Sequence, residues 1–432
     1  MEQFNYLIEL FNKGEINDIK QLLRLSPNTN EFDMFRGIIN MNESEYSKAS
    51  SYYHKILNNN PNDTRILNNL SLLPTNYQNK KYIINLEGYL FNCHSFSIIM
   101  ENIINNLLIR EDIELHIDTK ELNLKINDKL NNGFTKSINE RIKPIDKTII
   151  ADLTIRITYP FDISSSPYSH KTLVFLVAEM KESVYLLNTI QNNNVYLMTP
   201  SEHSKKIINS VYPELNIDVI PHGIDNINWN LVDTTDFKNK YNINENDFVF
   251  LHLSSNTGNK NVGNIVSCFK QLSKEKDNIK LILKFNSKLY NFETTTNFKN
   301  NNDDDNIIII TDKFNNDEMI QLYNSCNCYI SPYTAEGFNM PALEAQSYGK
   351  MVIHTNNGPT DEFILYPNMF GIDSKINDNY SLEINNEDIF LTMEKAYNNK
   401  NNIKLKNEYI LHTLNNYSWT NVVKKILNTY LF

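Results

Sequence analysis

Glycine and proline are scarce in this chain, 11 and 13 in 432 residues, against usual shares of about 7% and about 5%. The remainder, 41% hydrophobic and 21% charged, is a globular composition with enough apolar residues for large cores. Cysteine is also rare. Four thiols in a chain whose first residues, MEQFNYLIELFNKGEIND, carry acids and no basic-then-apolar leader read as reduced thiols in a cytosol-like compartment. No run of about 18 apolar residues exists, which excludes a membrane-spanning helix. Positive charge is in deficit, with 41 Lys and Arg against 51 Asp and Glu, and a nucleic-acid binder should carry a basic footprint. Nine histidines without a His-Glu-x-x-His grouping leave a hydrolytic zinc site unsupported. Asparagine, by contrast, fills about a sixth of the chain, a bias that reads as an AT-rich genome rather than chemistry.

The length suggests two or three domains. The first part reads as helices only. Leu22-Leu23-Arg24-Leu25-Ser26-Pro27-Asn28 is echoed 34 residues later by Ile56-Leu57-Asn58-Asn59-Asn60-Pro61-Asn62. A 34-residue period with a proline after each second helix resembles the tetratricopeptide repeat. That resemblance puts Gly37 and Ala49 where paired helices approach closely. An unrelated pair of helical hairpins is the other reading.

From about Lys81 short β-branched runs alternate with amphipathic stretches. Strands are expected at Tyr82–Leu86, Ile113–Ile117, Thr148–Ile157, Leu173–Val177, Val195–Met198 and Asp218–Ile220. Helices are expected at Phe96–Ile109, Glu182–Ile190 and Glu202–Val211. After a polar stretch, Asn226–Asn246, with one short helix, the alternation restarts. Strands are then expected at Phe248–Leu253, Ile279–Phe285, Ile307–Ile310, Cys328–Ile330 and Met351–His354, helices at Asn264–Leu272, Asp317–Tyr323 and Pro341–Tyr348, and a helical tail from Glu387. Such alternation argues parallel sheets buried on both faces. The expected division is residues 1–75, all helical; 76–225, a first α/β half; and 226–432, a second. The Asn300–Asn306 tract with Asp303-Asp304-Asp305 reads as a solvated loop rather than a metal site. Cys326 and Cys328 have the wrong spacing for a zinc ribbon and read as buried thiols.

The most informative segment is Ser331-Pro332-Tyr333-Thr334-Ala335-Glu336-Gly337-Phe338-Asn339-Met340-Pro341-Ala342-Leu343-Glu344-Ala345. It leaves a strand, passes a loop and enters a helix with Pro341 in its first turn, where the missing N–H costs nothing; Gly349 ends that helix. A loop feeding a helix N-terminus aims unpaired N–H donors and a positive dipole end at one place, an anion site suited to phosphate. Glu336 and Glu344 beside it make electrostatic sense if they hold hydroxyls, those of a sugar and of a ribose. Capping or solvent-facing carboxylates are the alternative.

The segment resembles the Glu-x7-Glu motif of the family 4 retaining glycosyltransferases of the GT-B fold. The likeness continues through Val352–Pro359 and Glu362, Val219-Ile220-Pro221-His222-Gly223-Ile224-Asp225, and Tyr417-Ser418-Trp419. Leu86-Glu87-Gly88-Tyr89-Leu90-Phe91-Asn92-Cys93-His94-Ser95 resembles members whose first strand ends in an acid–glycine turn, some of which carry tetratricopeptide units. The resemblance implies an α/β, GT-B fold of two facing Rossmann-like domains preceded by a short all-α segment. It implies transfer from a nucleotide-diphosphate sugar to a glycan, protein or other acceptor hydroxyl, with retention and with no metal or other cofactor. It implies catalytic roles for Glu336, at the donor sugar, and Lys260, at the diphosphate. Glu344 would hold the ribose, and Gly337, Phe338, Asn339, Met340 and Ser255 would line the donor site. Ser255 stands where an arginine is frequent, and Ser254 and Asn339 stand where glycines are. Glu87, Gly88, His94 and Glu179 are acceptor-side candidates; His222 and Gly223 form a candidate hinge. The helical prefix could hold the acceptor. A non-catalytic scaffold and a GT-B sugar-nucleotide epimerase are the competing readings. A cytoplasmic protein without nucleic-acid partners is expected.

Overall fold

The computed structural model describes residues 2–26, 29–74, 82–90, 95–119, 141–188, 191–224, 232–285, 304–365, 369–401 and 406–431. His94, Asp225 and Asp303 lie outside them, as does Pro27 of the repeat. Two compact units result. One holds Met1–Ile83 with Arg110–Glu114 and Lys425–Phe432; the other holds Ile84–Ile109 and Leu115–Lys424, and with them nearly all of both large sheets.

The prefix contains α1 (Glu2–Lys13), α2 (Ile16–Leu25), α3 (Asn30–Asn42), α4 (Tyr46–Asn59) and α5 (Thr64–Ser71). Apolar residues at helical spacing build a core from Leu7, Leu10, Ile19, Leu23, Phe32, Phe35 and Ile39. A second group joins Ala49, Tyr53, Ile56, Ile66 and Leu73. Gly37 of α3 lies against the Tyr53 ring of α4, so close that a Cβ would stand 2.4 Å from Cε1. Ala49 is fully buried. Gly37 and Ala49 thus both lie in the packed interior of the helical prefix. Asp33, also buried, is neutralised by Arg36 at 2.5 Å and Lys55 at 2.8 Å.

The first sheet contains β1 (Tyr82–Gly88), β2 (Ile113–Thr119), β3 (Ile142–Pro144), β4 (Leu153–Ile157), β6 (Thr172–Phe175), β8 (Val195–Thr199) and β9 (Ile217–Val219), in the order β3-β2-β1-β4-β6-β8-β9. Helix α6 (Ser95–Leu107) follows β1, and α7 (Glu202–Val211) follows β8. A small parallel pair joins β5 (Phe161–Asp162) to β7 (Leu186–Asn188).

The second half begins with α8 (Thr235–Lys240). Its sheet contains β10 (Phe248–Ser254), β11 (Ile279–Phe285), β12 (Ile307–Ile310), β13 (Cys328–Ser331), β14 (Met351–Thr355) and β15 (Met369–Ile372), in the order β12-β11-β10-β13-β14-β15. Every pairing in it is parallel. Helices α9 (Val262–Leu272), α10 (Asn316–Ser325), α11 (Met340–Ser347), α12 (Asn386–Asn398), α13 (Lys406–Tyr417) and α14 (Trp419–Ile426) complete it. Strands β13 and β14 are buried along their whole length, as strands covered on both faces must be.

Two expectations are corrected. Glu182–Ile190 is not a helix in its described part: a 3-10 turn, Lys181–Ser183, leads into β7. Val184 and Leu186 are buried while Tyr185 and Leu187 are exposed, a period of two rather than 3.6. The strand expected from Thr148 starts at Leu153. Asp146 accepts from both the N–H and the hydroxyl of Thr148 and holds a turn there.

The two α/β halves meet at the segment Val219–Ile224. Ile224 N–H donates to Tyr417 O at 2.7 Å, and Trp419 N–H donates back to Ile224 O at 3.2 Å. Gly223 permits this approach, because a Cβ there would lie 2.6 Å from the Trp419 nitrogen. His222 is buried among the rings of Phe175, Phe338 and Trp419. Burial pushes its imidazole down to about 3. The unfolded chain, with an ordinary value of about 6.5, takes up the proton first. The stability linked to His222 is therefore complete above about pH 6.5 and declines as pH falls toward the folded value, by about 1.4 kcal/mol per pH unit. His222→Phe should flatten the acid limb by about that slope in urea unfolding at pH 7, 6 and 5. An unchanged slope would show that His222 does not contribute.

Candidate active site

In a doubly wound sheet, ligands bind beyond the carboxyl ends of the strands where the strand order reverses. In the second sheet that point lies between β10 and β13. The loops leaving these two strands carry Lys260 and Glu336. They are laced together: Thr334 N–H donates to Asn259 O at 2.9 Å, Asn259 Nδ2 to Ala335 O at 3.0 Å, and Asn261 Nδ2 to Pro332 O at 2.8 Å. Gly258–Lys260 forms a 3-10 turn, and Asn261, at φ 55°, redirects the chain into α9.

Lys260 Nζ donates to Glu336 Oε2 at 2.8 Å. Glu336 Oε1 accepts the N–H of Gly337 at 3.0 Å and approaches that of Phe338 at 3.5 Å. Burial alone would raise the Glu336 carboxyl; Lys260 and these amides outweigh it and hold the group below its usual range. Burial would likewise lower the Lys260 ammonium, but the carboxylates of Glu336 and Glu179 raise it. Both stay ionised. Glu179, in the loop after β6, reaches the same lysine from the first half at 3.6 Å and accepts from Asn259 Nδ2 at 3.0 Å. Desolvation, with Glu336 adding to it, raises the Glu179 carboxyl against the opposing pull of Lys260.

Asn339 starts α11 with φ 74°, the left-handed conformation that asparagine tolerates best after glycine. This accounts for an asparagine where the resemblance offers glycine. Its Nδ2 donates to Thr360 Oγ1 at 3.2 Å, so the side chain fastens the loop. Met340 and Pro341 form the first turn. One turn further, Glu344 accepts a 2.5 Å hydrogen bond from Tyr323. Tyr323 is buried, stacked on Tyr348 at 5.0 Å, and burial together with Glu344 raises its phenol well above the ordinary value. It therefore stays a donor and fixes the carboxylate.

Other expected residues are placed differently from one another. Glu87, at the carboxyl end of β1, pairs with buried Arg156 at 2.6 Å. Gly88 lies where a Cβ would meet Met100 and Ile157 O within 2.8 Å. Ser255 Oγ is 3.4 Å from Thr257 Oγ1, whereas Ser254 bonds His252 at 2.7 Å. Gly337 touches the first half: Ser201 Oγ donates to its carbonyl at 2.7 Å, and a Cβ would lie 2.3 Å from Val177 Cγ2. Glu362 accepts the first two N–H groups of α7, from Glu202 and His203, at 2.8 Å each. Tyr323, Arg156 and the capping use of Glu362 escaped the sequence reading. Only Arg156 left a signal, a lone cation inside the apolar run Leu153–Ile157.

Residues 233–366 match the family Glycosyl transferases group 1. The matched stretch contains Lys260, Glu336 and Glu344. The whole α/β part has the GT-B fold. It superposes on a glycosyltransferase from Rickettsia africae ESF-5 with TM-score 0.58 and 17% identity, covering 81% of this chain and 98% of that one. Sucrose-phosphate synthase from Thermosynechococcus elongatus gives TM-score 0.59 and 12% identity over 81% and 98%. Anabaena HepE, solved with UDP and glucose, gives 0.58 and 11% over 81% and 99%. A lipopolysaccharide 1,2-N-acetylglucosaminetransferase of Salmonella typhimurium (strain LT2) is 22% identical over 242 residues. The match covers 55% of this chain and 62% of that relative's length.

Proposed function

We propose that the protein transfers a glycosyl group from a nucleotide-diphosphate sugar to an acceptor hydroxyl. The observation that carries this reading is the partly buried Lys260–Glu336 pair beside the N-terminus of α11, at the switch point of the sheet whose residues match the glycosyl transferases group 1 family. Lys260 neutralises the diphosphate as the sugar–phosphate bond breaks, with the α11 dipole adding positive potential. Glu336 accepts from sugar hydroxyls and Glu344, held by Tyr323, from the ribose. With charge neutralised in this way, no metal is required, and the sugar departs with oxocarbenium character and is attacked on the same face. The acceptor enters from the first half, and the helical prefix, as a tetratricopeptide-like segment, holds it. The UDP complexes of HepE support a uridine nucleotide as the first donor to try.

One observation favours a second reading, a binding protein without turnover. Ser255 places a hydroxyl paired with Thr257, not a cation, where the resemblance expects arginine. The test is release of nucleoside diphosphate from UDP-, GDP- and ADP-sugars with an acceptor panel, with and without EDTA. Turnover that survives chelation is expected. Activity abolished by EDTA and restored by Mn²⁺ or Mg²⁺ would refute the metal-free reading, and no turnover of any donor would favour the binding protein.

A further inference from the structure

The cation expected to meet the diphosphate is already occupied. Lys260 Nζ has Glu336 at 2.8 Å and Glu179 at 3.6 Å, and its side chain is only 12% exposed. Two carboxylates face one ammonium, an excess of negative charge at the place where an anion must bind. The two are not equivalent. Glu336 belongs to the same loop system as Lys260, has two backbone amides on its other oxygen, and is 17% exposed. Glu179 comes from the first half, makes the longer contact and is 39% exposed. Its second oxygen is held by Asn259, the residue next to Lys260. A carboxylate that combines a longer ion pair with greater exposure is the one an incoming anion can displace.

We propose that Glu179 is a donor-affinity residue: its carboxylate stands on Lys260 where the diphosphate goes, and donor binding must displace it. The proposal rests on the reading of Lys260 as the diphosphate's cation. A diphosphate brought to Lys260 meets Glu179 as a like charge, whereas a nucleoside, having no phosphate, does not. The carboxylate therefore lowers affinity for the diphosphate part of the ligand and leaves the nucleoside part unaffected. It also sets a threshold, since an anion with a single negative charge gains less on Lys260 by displacing Glu179 than a diphosphate does.

Glu179→Gln keeps the acceptor for Asn259 and removes the charge. Calorimetric titration with UDP, GDP and ADP in turn should give a dissociation constant about tenfold lower in this variant than in the wild type for whichever nucleotide binds. The matching nucleoside should bind both proteins alike. Equal or weaker nucleotide binding by Glu179→Gln would overturn the proposal. An equal gain for the nucleoside would overturn it too, because that points to a looser cleft. Glu179→Ala, which also removes the contact to Asn259, should show the same gain. Lys260→Met separates the underlying reading: if it leaves nucleotide affinity unchanged, Lys260 is not the diphosphate's cation and both readings fall, whereas a loss there with no gain in Glu179→Gln sinks only the role of Glu179.

Discussion

Turnover by Lys260→Met is expected to fall by about 10²- to 10³-fold, the cost of removing one preorganised charge-stabilising donor. The same substitution leaves Glu336 as a partly buried carboxylate without its cation, a loss of at most about 3–5 kcal/mol in folding stability. The two effects are separable. Glu336→Gln in the same chain removes the orphaned charge, so it should restore most of the stability and none of the turnover. Urea unfolding and initial-rate measurements on both variants check this. Turnover in the double variant equal to that of Glu336→Gln alone would mean that Lys260 serves the fold and not the reaction.

Glu344→Gln should weaken nucleoside-diphosphate binding by about 10- to 150-fold, since a charge-assisted hydrogen bond is worth about 1.5–3 kcal/mol. The glutamine can still accept from Tyr323, so the loss belongs to the ribose hydroxyls rather than to the helix. Glu336→Gln should not weaken that binding and should lower turnover, because it faces the sugar. Calorimetry with the free nucleotide separates the two carboxylates even if both variants are poor enzymes. Equal losses in the two would overturn the assignment of roles.

Much of this was legible in the chain, for reasons that differ by element. Val195–Met198, Leu281–Leu283 and Ile307–Ile310 are apolar runs bounded by polar residues, the pattern that parallel strands covered on both faces require. The loop and helix from Ser331 to Gly349 announced themselves through Pro341 inside the first turn and Gly349, at φ 65°, after the last. Val184–Leu187 was misread because four mostly apolar residues after an acid suit either period; only burial on alternate sides identifies a strand. Two features lay beyond local pattern. Tyr323 meets Glu344 across 21 residues, and Glu179 meets Lys260 across the two halves. Neither a tyrosine on an amphipathic helix nor a glutamate after a strand announces its partner, because that partner is set by the packing of separate elements.

The central claim is that the switch point of the second sheet binds a nucleotide-diphosphate sugar. Thermal unfolding of the intact chain with UDP-, GDP- and ADP-sugars tests it most directly. A ligand at 100 times its dissociation constant adds about 2.7 kcal/mol to stability, so at least one donor should raise the midpoint by a clear margin, and Glu344→Gln should remove about half or more of that rise. No shift with any of the sugar nucleotides at millimolar concentration, or a shift that Glu344→Gln leaves intact, would contradict it.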